Sequence, residues 1–225
     1  MKIGILQTGH ATPEIMDAQG DIDVIFTRLL SGRGFEFDTY PVLDGVFPTG
    51  VDAAEGWLIT GSKHGAYDDL NWIPPLEQLI HDIYADGRPL IGVCFGHQII
   101  AQALGGKVVK FDAGWSIGRN EYDIEGERIA LNAWHQDQVI EVPKGADVIG
   151  TSDFCEYAAL LYDNRILTIQ PHPEFDAEVI DLLIETRGRG NIDDALLKEA
   201  SSKLNAPVKN REFADRMAAF FKRGS

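Results

Sequence analysis

The stretch "IGVCFGHQ", residues 91–98, runs from apolar residues into a cysteine and then at once into Phe95, Gly96, His97 and Gln98. "PLIGVC" (89–94) has the length and composition of a buried strand, and "GHQIIAQALGG" (96–106) that of a helix closed by two glycines. A strand that turns sharply into a helix lifts its last side chain above the sheet, with the helix N-terminus beneath it. Gly92 and Gly96 flank Cys94 at two residues on either side, which lets strand and helix approach closely. This is the pattern of a nucleophile elbow with sulfur in place of hydroxyl. The positive helix end favours negative charge on the sulfur, and the Phe95 N–H is positioned to donate to an oxyanion. A plainer reading stays open, since a free cysteine is often just a small buried apolar residue.

Strand and helix signals alternate on either side of this turn. "KIGILQ" (2–7), "FEFDTYPV" (35–42) and "WLIT" (57–60) read as strands. Ile22, Ile25, Phe26, Leu29 and Leu30 form one helical face that stops at Gly32 and Gly34. "PPLEQLIHDIYADG" (74–87) reads as a helix with proline at its start and Gly87 at its end. This alternation predicts a mainly parallel sheet covered on both faces. Beyond residue 105 the signals change to short strands: "KVVKF", "IGRNEYDI", "QVIEV" and "DVIGTS". "AALLYDNRILTIQPHP" (158–173) reads as two strands around the turn Asp163-Asn164. Helical spacing returns at 176–187 and about 208–222, with the loop-like "RGRGNIDD" (187–194) between. Residues 1–225 are expected to form one domain, with C-terminal helices from about 176.

Composition narrows the class. Hydrophobic residues make up 44% of the chain, enough for a substantial core, and the net charge of −15 opposes binding to nucleic acid or anionic membrane. Only Cys94 and Cys155 are present, so a disulfide framework is not expected. "MKIGILQTGH" lacks a secretory pattern and no apolar run is long enough to span a bilayer, so a cytoplasmic protein is expected. No cysteine or histidine spacing suggests zinc, and no phosphate-binding loop of the Walker type occurs.

A cysteine nucleophile needs a general base and a group to orient it. "TIQPHPEF" (168–175) follows an apolar strand and carries His172 and Glu174 two residues apart, held between prolines. Alternate side chains of an extended segment share a face, so imidazole and carboxylate can meet. Cys155, in "DFCEYAAL", has no turn, base or carboxylate nearby and reads as a core residue.

Together, "GVCFGHQ" and "QPHPEF" resemble the class I, or triad, glutamine amidotransferases, most closely the glutaminase domain of GMP synthase and its stand-alone relatives. The resemblance runs from Lys2 to about Phe175. It implies an α/β, flavodoxin-like three-layer sandwich with a mainly parallel central sheet. It also implies catalysis by Cys94, His172 and Glu174, with an oxyanion hole from the Phe95 and Gly61 backbone, the latter in "LITGSKHGAYDD" (58–69). By the same resemblance, Gln98 and the segment "NAWHQDQV" (132–139), with Trp134, His135 and Gln136, hold the α-amino and α-carboxylate groups of the substrate. His97 is expected to be structural.

The implied reaction is hydrolysis of the glutamine side-chain amide, with no metal or organic cofactor. The residues after Glu174 read as helices and are too few for an ATP-using domain. An acceptor of the ammonia is therefore expected on another chain, as a synthetase subunit. Stand-alone relatives also include enzymes that cleave γ-glutamyl bonds in peptides. A non-enzymatic redox sensor or binding module of the same fold is a third reading.

Overall fold

The computed structural model describes residues 1–223. The first half of the chain alternates strands and helices: β1 (Lys2–Gln7), α1 (Pro13–Gln19), α2 (Ile22–Leu29), β2 (Glu36–Pro41), β3 (Gly56–Ile59), α3 (Ile73–Asp86), β4 (Leu90–Val93) and α4 (Phe95–Ala103). Seven strands come next: β5 (Lys107–Lys110), β6 (Ser116–Ile124), β7 (Glu127–His135), β8 (Asp137–Glu141), β9 (Ala146–Thr151), β10 (Ala159–Tyr162) and β11 (Ile166–Ile169). The chain then runs through α5 (Ala177–Leu183), a π-helical turn (Ile184–Gly188), α6 (Asp194–Ser202) and α7 (Asn210–Arg223).

Nine of these strands form one sheet in the order β2-β1-β3-β4-β11-β10-β9-β6-β7. The pairs from β2 to β11 are parallel, and those beyond β11 are antiparallel. Only β10 and β6 therefore run against the rest, which makes this the mainly parallel α/β sheet expected from the alternation. β5 and β8 pair as a separate two-stranded ribbon.

Both faces of the sheet are covered. On one, Ile3, Ile5, Leu58, Ile91, Val93 and Ile169 pack under α2, α5 and α7. On the other, Leu6, Trp57, Ile59, Leu90 and Ile166 pack under α3 and α4. The period-2 alternation within β1 divides Ile3 and Ile5 from Leu6 in this way. Helix α2 buries Ile22, Ile25 and Phe26, each such side chain contributing about 1.5–3 kcal/mol. Its N-terminus is capped by the Asp21 carboxylate, which accepts from the Ile22 N–H.

Periodicity gives no signal for α1, β7 or α6. Helix α1 has seven residues and buries only Ile15 and Gln19. Strand β7 is buried over most of its length on both faces, so it shows no alternation. Helix α6 buries only Leu197 and Ala200, and its cap, Asp193, lies in the segment expected to be a loop. No helix of the described residues is long and apolar enough to cross a membrane.

Candidate active site

The order β3-β4-β11 sets three segments side by side at the carboxyl ends of parallel strands: Thr60-Gly61 after β3, Cys94 after β4, and Gln170 to Glu174 after β11. Open α/β sheets place ligand sites at such ends. The register is fixed there by the Cys94 N–H, which donates to the Ile169 carbonyl at 2.8 Å.

Cys94 adopts φ 53° and ψ −103°, a conformation strained for any residue with a side chain. Two glycines make that turn sterically possible. A Cβ on Gly96 would lie 2.4 Å from the Ile59 carbonyl oxygen, and one on Gly92 would lie 2.6 Å from the Gly96 backbone. Helix α4 is thereby pressed onto β3 and β4, and the Gly96 N–H donates to the Thr60 carbonyl at 3.1 Å. Cys94 is the N-terminal flank of α4, which sets the residue at the positive end of that helix.

His172 is fixed from three directions. Its backbone N–H donates to the Asn132 carbonyl at 2.8 Å, an isolated bridge to β7. Its ring stacks on Phe175 with centroids 4.0 Å apart and planes 4° from parallel. Its Nδ1–H donates to Glu174 Oε1 at 2.6 Å, and both side chains are almost wholly buried. Burial opposes charge on His172, but the Glu174 carboxylate and then the Cys94 sulfur outweigh it and raise the imidazole pKa to about 10.

Gly61 closes the group. A Cβ there would lie 2.9 Å from His172 Cε1 and 3.7 Å from Cys94 Cβ, so its backbone borders both side chains. Its carbonyl is turned away and accepts from Thr8 Oγ1 at 3.1 Å. Among the described residues, neither the Gly61 N–H nor the Phe95 N–H meets an acceptor. The structure thus brings Cys94, His172, Glu174, Gly61 and Phe95 together.

The substrate-side candidates of the segment 132–139 lie on strands and the corner between them. Trp134 and His135 end β7, and Gln136 is the single residue between β7 and β8. That corner is a tight strand connection because β7 continues its pairing with β6 up to His135. Gln98 is buried, and its Nε2 donates to the Asp137 carbonyl at 2.8 Å and to Gln170 Oε1 at 3.1 Å. His135 is buried behind His172, with Nδ1–H facing the Asp137 carbonyl at 3.3 Å. Burial, then the nearby His172 charge, push its pKa down to about 3, so it is neutral. Gln136 donates from Nε2 to the Phe111 carbonyl at 3.3 Å. Trp134 is half-buried beside Trp115, its ring against Gly188. His97 is fully buried and bonded to Thr168 Oγ1 at 2.8 Å, its pKa pushed down to about 3 by burial.

The family model described as glutamine amidotransferase class-I matches residues 57–184, a span that holds β3, the Cys94 turn and the His172 segment. The chain belongs to the class-I glutamine amidotransferases. Gamma-glutamyl peptidase 4 of Arabidopsis thaliana is 30% identical over 231 residues, covering 94% of this chain and 92% of that protein. GMP synthase [glutamine-hydrolyzing] of Clostridium novyi is 28% identical over 172 residues, covering 72% of this chain but 32% of that protein. A glutamine amido transferase from Methylobacillus flagellatus shares the fold, with a TM-score of 0.80, 22% identity, and coverage of 99% of this chain and 94% of that one.

Several residues that shape this site carry no motif signal. Asn132 holds His172 through its carbonyl and donates from Nδ2 to the Phe175 carbonyl at 2.9 Å. Thr8 and Thr60 bond one another at 3.1 Å and brace the Gly61 turn. Gln170 anchors Gln98. Each acts across long sequence separations through common polar residue types. Among the described residues, no group of three or more His, Cys, Asp or Glu could hold a metal ion.

Proposed function

We propose that this chain hydrolyses γ-glutamyl amide bonds through a Cys94-His172-Glu174 triad, with residues 1–225 acting as one catalytic domain. The observation that carries this is the meeting of Cys94, His172 and the Gly61 backbone at the ends of three adjacent strands. Cys94 attacks the γ-carbonyl carbon as thiolate. The Phe95 and Gly61 N–H groups stabilise the resulting oxyanion, each such donor being worth about 10²–10³ in kcat. The C–N bond breaks, and the departing amine takes its proton from His172. His172 then removes a proton from water, which attacks the thioester, releases glutamate and frees the sulfur. Glu174 holds the His172 tautomer and stabilises the imidazolium.

Gln98, Trp134, His135 and Gln136 serve the γ-glutamyl half as the wall of its pocket. In that role Gln98 and His135 act mainly by fixing the Asp137 backbone, to which both are bonded. γ-Glutamyl peptides are the first choice of substrate, because the likeness to a γ-glutamyl peptidase runs nearly end to end through both chains. Free glutamine, with ammonia passed to a synthetase on a separate chain, is the second reading, supported by the likeness to GMP synthase.

Steady-state kinetics on γ-glutamyl dipeptides and on glutamine, with and without cell extract, separate the two. Fast, partner-independent cleavage of dipeptides supports the peptidase. Slow glutamine turnover stimulated by a second protein supports the amidotransferase subunit. Equal cleavage of γ- and α-linked substrates refutes both.

A further inference from the structure

Strands β1 and β3 run parallel and in register up to the pair Leu6 and Ile59, so the residues that follow leave the sheet side by side. The Thr60 N–H still donates to the Leu6 carbonyl at 3.2 Å. Beyond it, side chains take over from the backbone ladder. Thr8 and Thr60 are both fully buried, and the Thr8 N–H donates to Thr60 Oγ1 at 3.0 Å. The Thr8 hydroxyl lies between two backbone carbonyls, 2.9 Å from that of Thr60 and 3.1 Å from that of Gly61.

Those two carbonyls stand on either side of the Gly61 N–H along the chain. The Thr60–Gly61 peptide is trans and planar, so its N–H points opposite to the Thr60 carbonyl. That carbonyl is held by the Gly96 N–H at 3.1 Å and by the Thr8 hydroxyl. The Gly61 carbonyl lies within bonding distance of the Thr60 hydroxyl, at 3.2 Å, as well as of Thr8 Oγ1. With both carbonyls held, neither peptide that meets at Gly61 is free to turn. The direction of the Gly61 N–H is set before any substrate arrives, beside an α-carbon that borders His172 and Cys94.

Thr8 is itself held in place. Gln7 Nε2 donates to the Gly9 carbonyl at 3.1 Å and to Asp21 Oδ2 at 2.8 Å, which fixes the chain on both sides of Thr8. A Cβ on Gly9 would lie 3.0 Å from the Gly61 carbonyl oxygen, so the backbone after Thr8 rests directly on the Gly61 peptide.

We propose that Thr8 is a positioning residue for catalysis, whose hydroxyl aims the Gly61 N–H as the second oxyanion donor. The proposal rests on the hydrolysis reading above. All the side-chain bonds of Thr8 go to Thr60 and Gly61, so it acts through that peptide and not on the sulfur or the imidazole. When the Cys94 sulfur bonds to the γ-carbonyl carbon, the carbonyl π pair moves onto oxygen. A donor already fixed in direction meets that charge without reorganisation, and it stabilises the transition state more than the bound substrate. Loss of the hydroxyl should therefore appear in kcat and spare KM.

The test uses Thr8→Val, which keeps the shape and removes the hydroxyl, Thr8→Ala, which removes it without added bulk, and Thr8→Ser, which restores it. The fold should survive each, because the Thr60 carbonyl keeps the Gly96 N–H and the Gly61 carbonyl keeps the Thr60 hydroxyl. Steady-state kcat and KM are measured on a γ-glutamyl dipeptide and on glutamine. Alkylation of Cys94 by iodoacetamide is followed across pH, a displacement at sulfur that forms no oxyanion. Thr8→Val and Thr8→Ala should lose roughly 10- to 100-fold in kcat with KM within about twofold of the wild type. Their alkylation rates and pH profiles should match the wild type, and Thr8→Ser should recover most of kcat. Wild-type kcat in Thr8→Val or Thr8→Ala, or a Thr8→Ser as impaired as both, overturns the positioning role and leaves the hydrolysis reading intact. So does a loss that appears equally in the alkylation rate, which would place the effect at the sulfur. A wild type that turns over neither substrate sinks the hydrolysis reading, and the role of Thr8 with it.

Discussion

Cys94 and Cys155 belong to the same apolar cluster, and both are free and buried. Cys155 sits in a turn after β9, where the Ser152 N–H donates to its carbonyl at 2.8 Å and its own N–H donates to Ser152 Oγ at 3.0 Å. Burial pushes its thiol up to about 12, although the Tyr157 N–H favours the anion. Cys94 has instead a strained backbone, a helix N-terminus beneath it and an imidazole beside it. The side chain is the same and the burial nearly so. On the proposed mechanism, strand ends and helix starts, rather than burial, separate the nucleophile from a packing residue.

The largest effect should come from removing one cysteine or the other. Cys94→Ala is expected to lower kcat by roughly 10⁴-fold or more, with His172→Ala close behind and Glu174→Ala leaving clearly more activity. Cys155→Ala should stay within about twofold of the wild type. Loss of activity in a folded Cys155→Ala protein would break the comparison, and Glu174→Ala as inactive as Cys94→Ala would give Glu174 more than an orienting role.

Gly61→Ala comes next. Its methyl would sit 2.9 Å from His172 Cε1, so the ring must shift while the Gly61 N–H remains. A displacement of this kind is expected to lower kcat by about 100-fold with little loss of stability. Unchanged kcat would show that the imidazole does not need the position it holds.

Glycine at each cysteine position reads the strain directly. Cys94→Gly relieves a positive φ that costs on the order of 1–3 kcal/mol, whereas Cys155→Gly only loses packing. Urea midpoints should therefore show Cys94→Gly at least about 1 kcal/mol less destabilised than Cys155→Gly, while abolishing turnover. The reverse order would remove strain from the account of the turn.

The last effect is a pH dependence of stability. Because folding raises the His172 pKa, its contribution is fully present below the ordinary imidazole value of 6.5 and fades as pH rises toward about 10. The gap in urea midpoint between the wild type and Glu174→Gln should accordingly be wide near pH 6.5 and narrow by pH 10. A gap that widens with pH would contradict the protonated state assigned to His172.

Much of this was legible in the sequence where local chemistry decides the outcome. Gly92, Cys94 and Gly96 announce a tight strand-to-helix turn, and His172 and Glu174 are close because they are two residues apart. The Asp163-Asn164 turn was legible for the same reason, both residues adopting positive φ between β10 and β11. Contacts across long separations were not. Nothing local indicates that Asn132 would hold the His172 backbone, or that Gln98 would bond to Gln170 and Asp137. Strand β7 escaped because burial on both faces erases the alternation that marks a strand, so Trp134 and His135 were not placed on one. The π turn leaves no mark of its own in "IETRG", most of which reads only as the end of the helical spacing at 176–187.

The central claim is that Cys94 forms the covalent bond to the γ-glutamyl group. Its most direct test is to quench the protein rapidly during turnover of a γ-glutamyl substrate and map the acylated peptide by mass spectrometry. A γ-glutamyl thioester on the peptide containing Cys94 is expected, absent in Cys94→Ala and with Cys155 unmodified. Acylation at Cys155, or product forming at full rate in Cys94→Ala, would contradict the account.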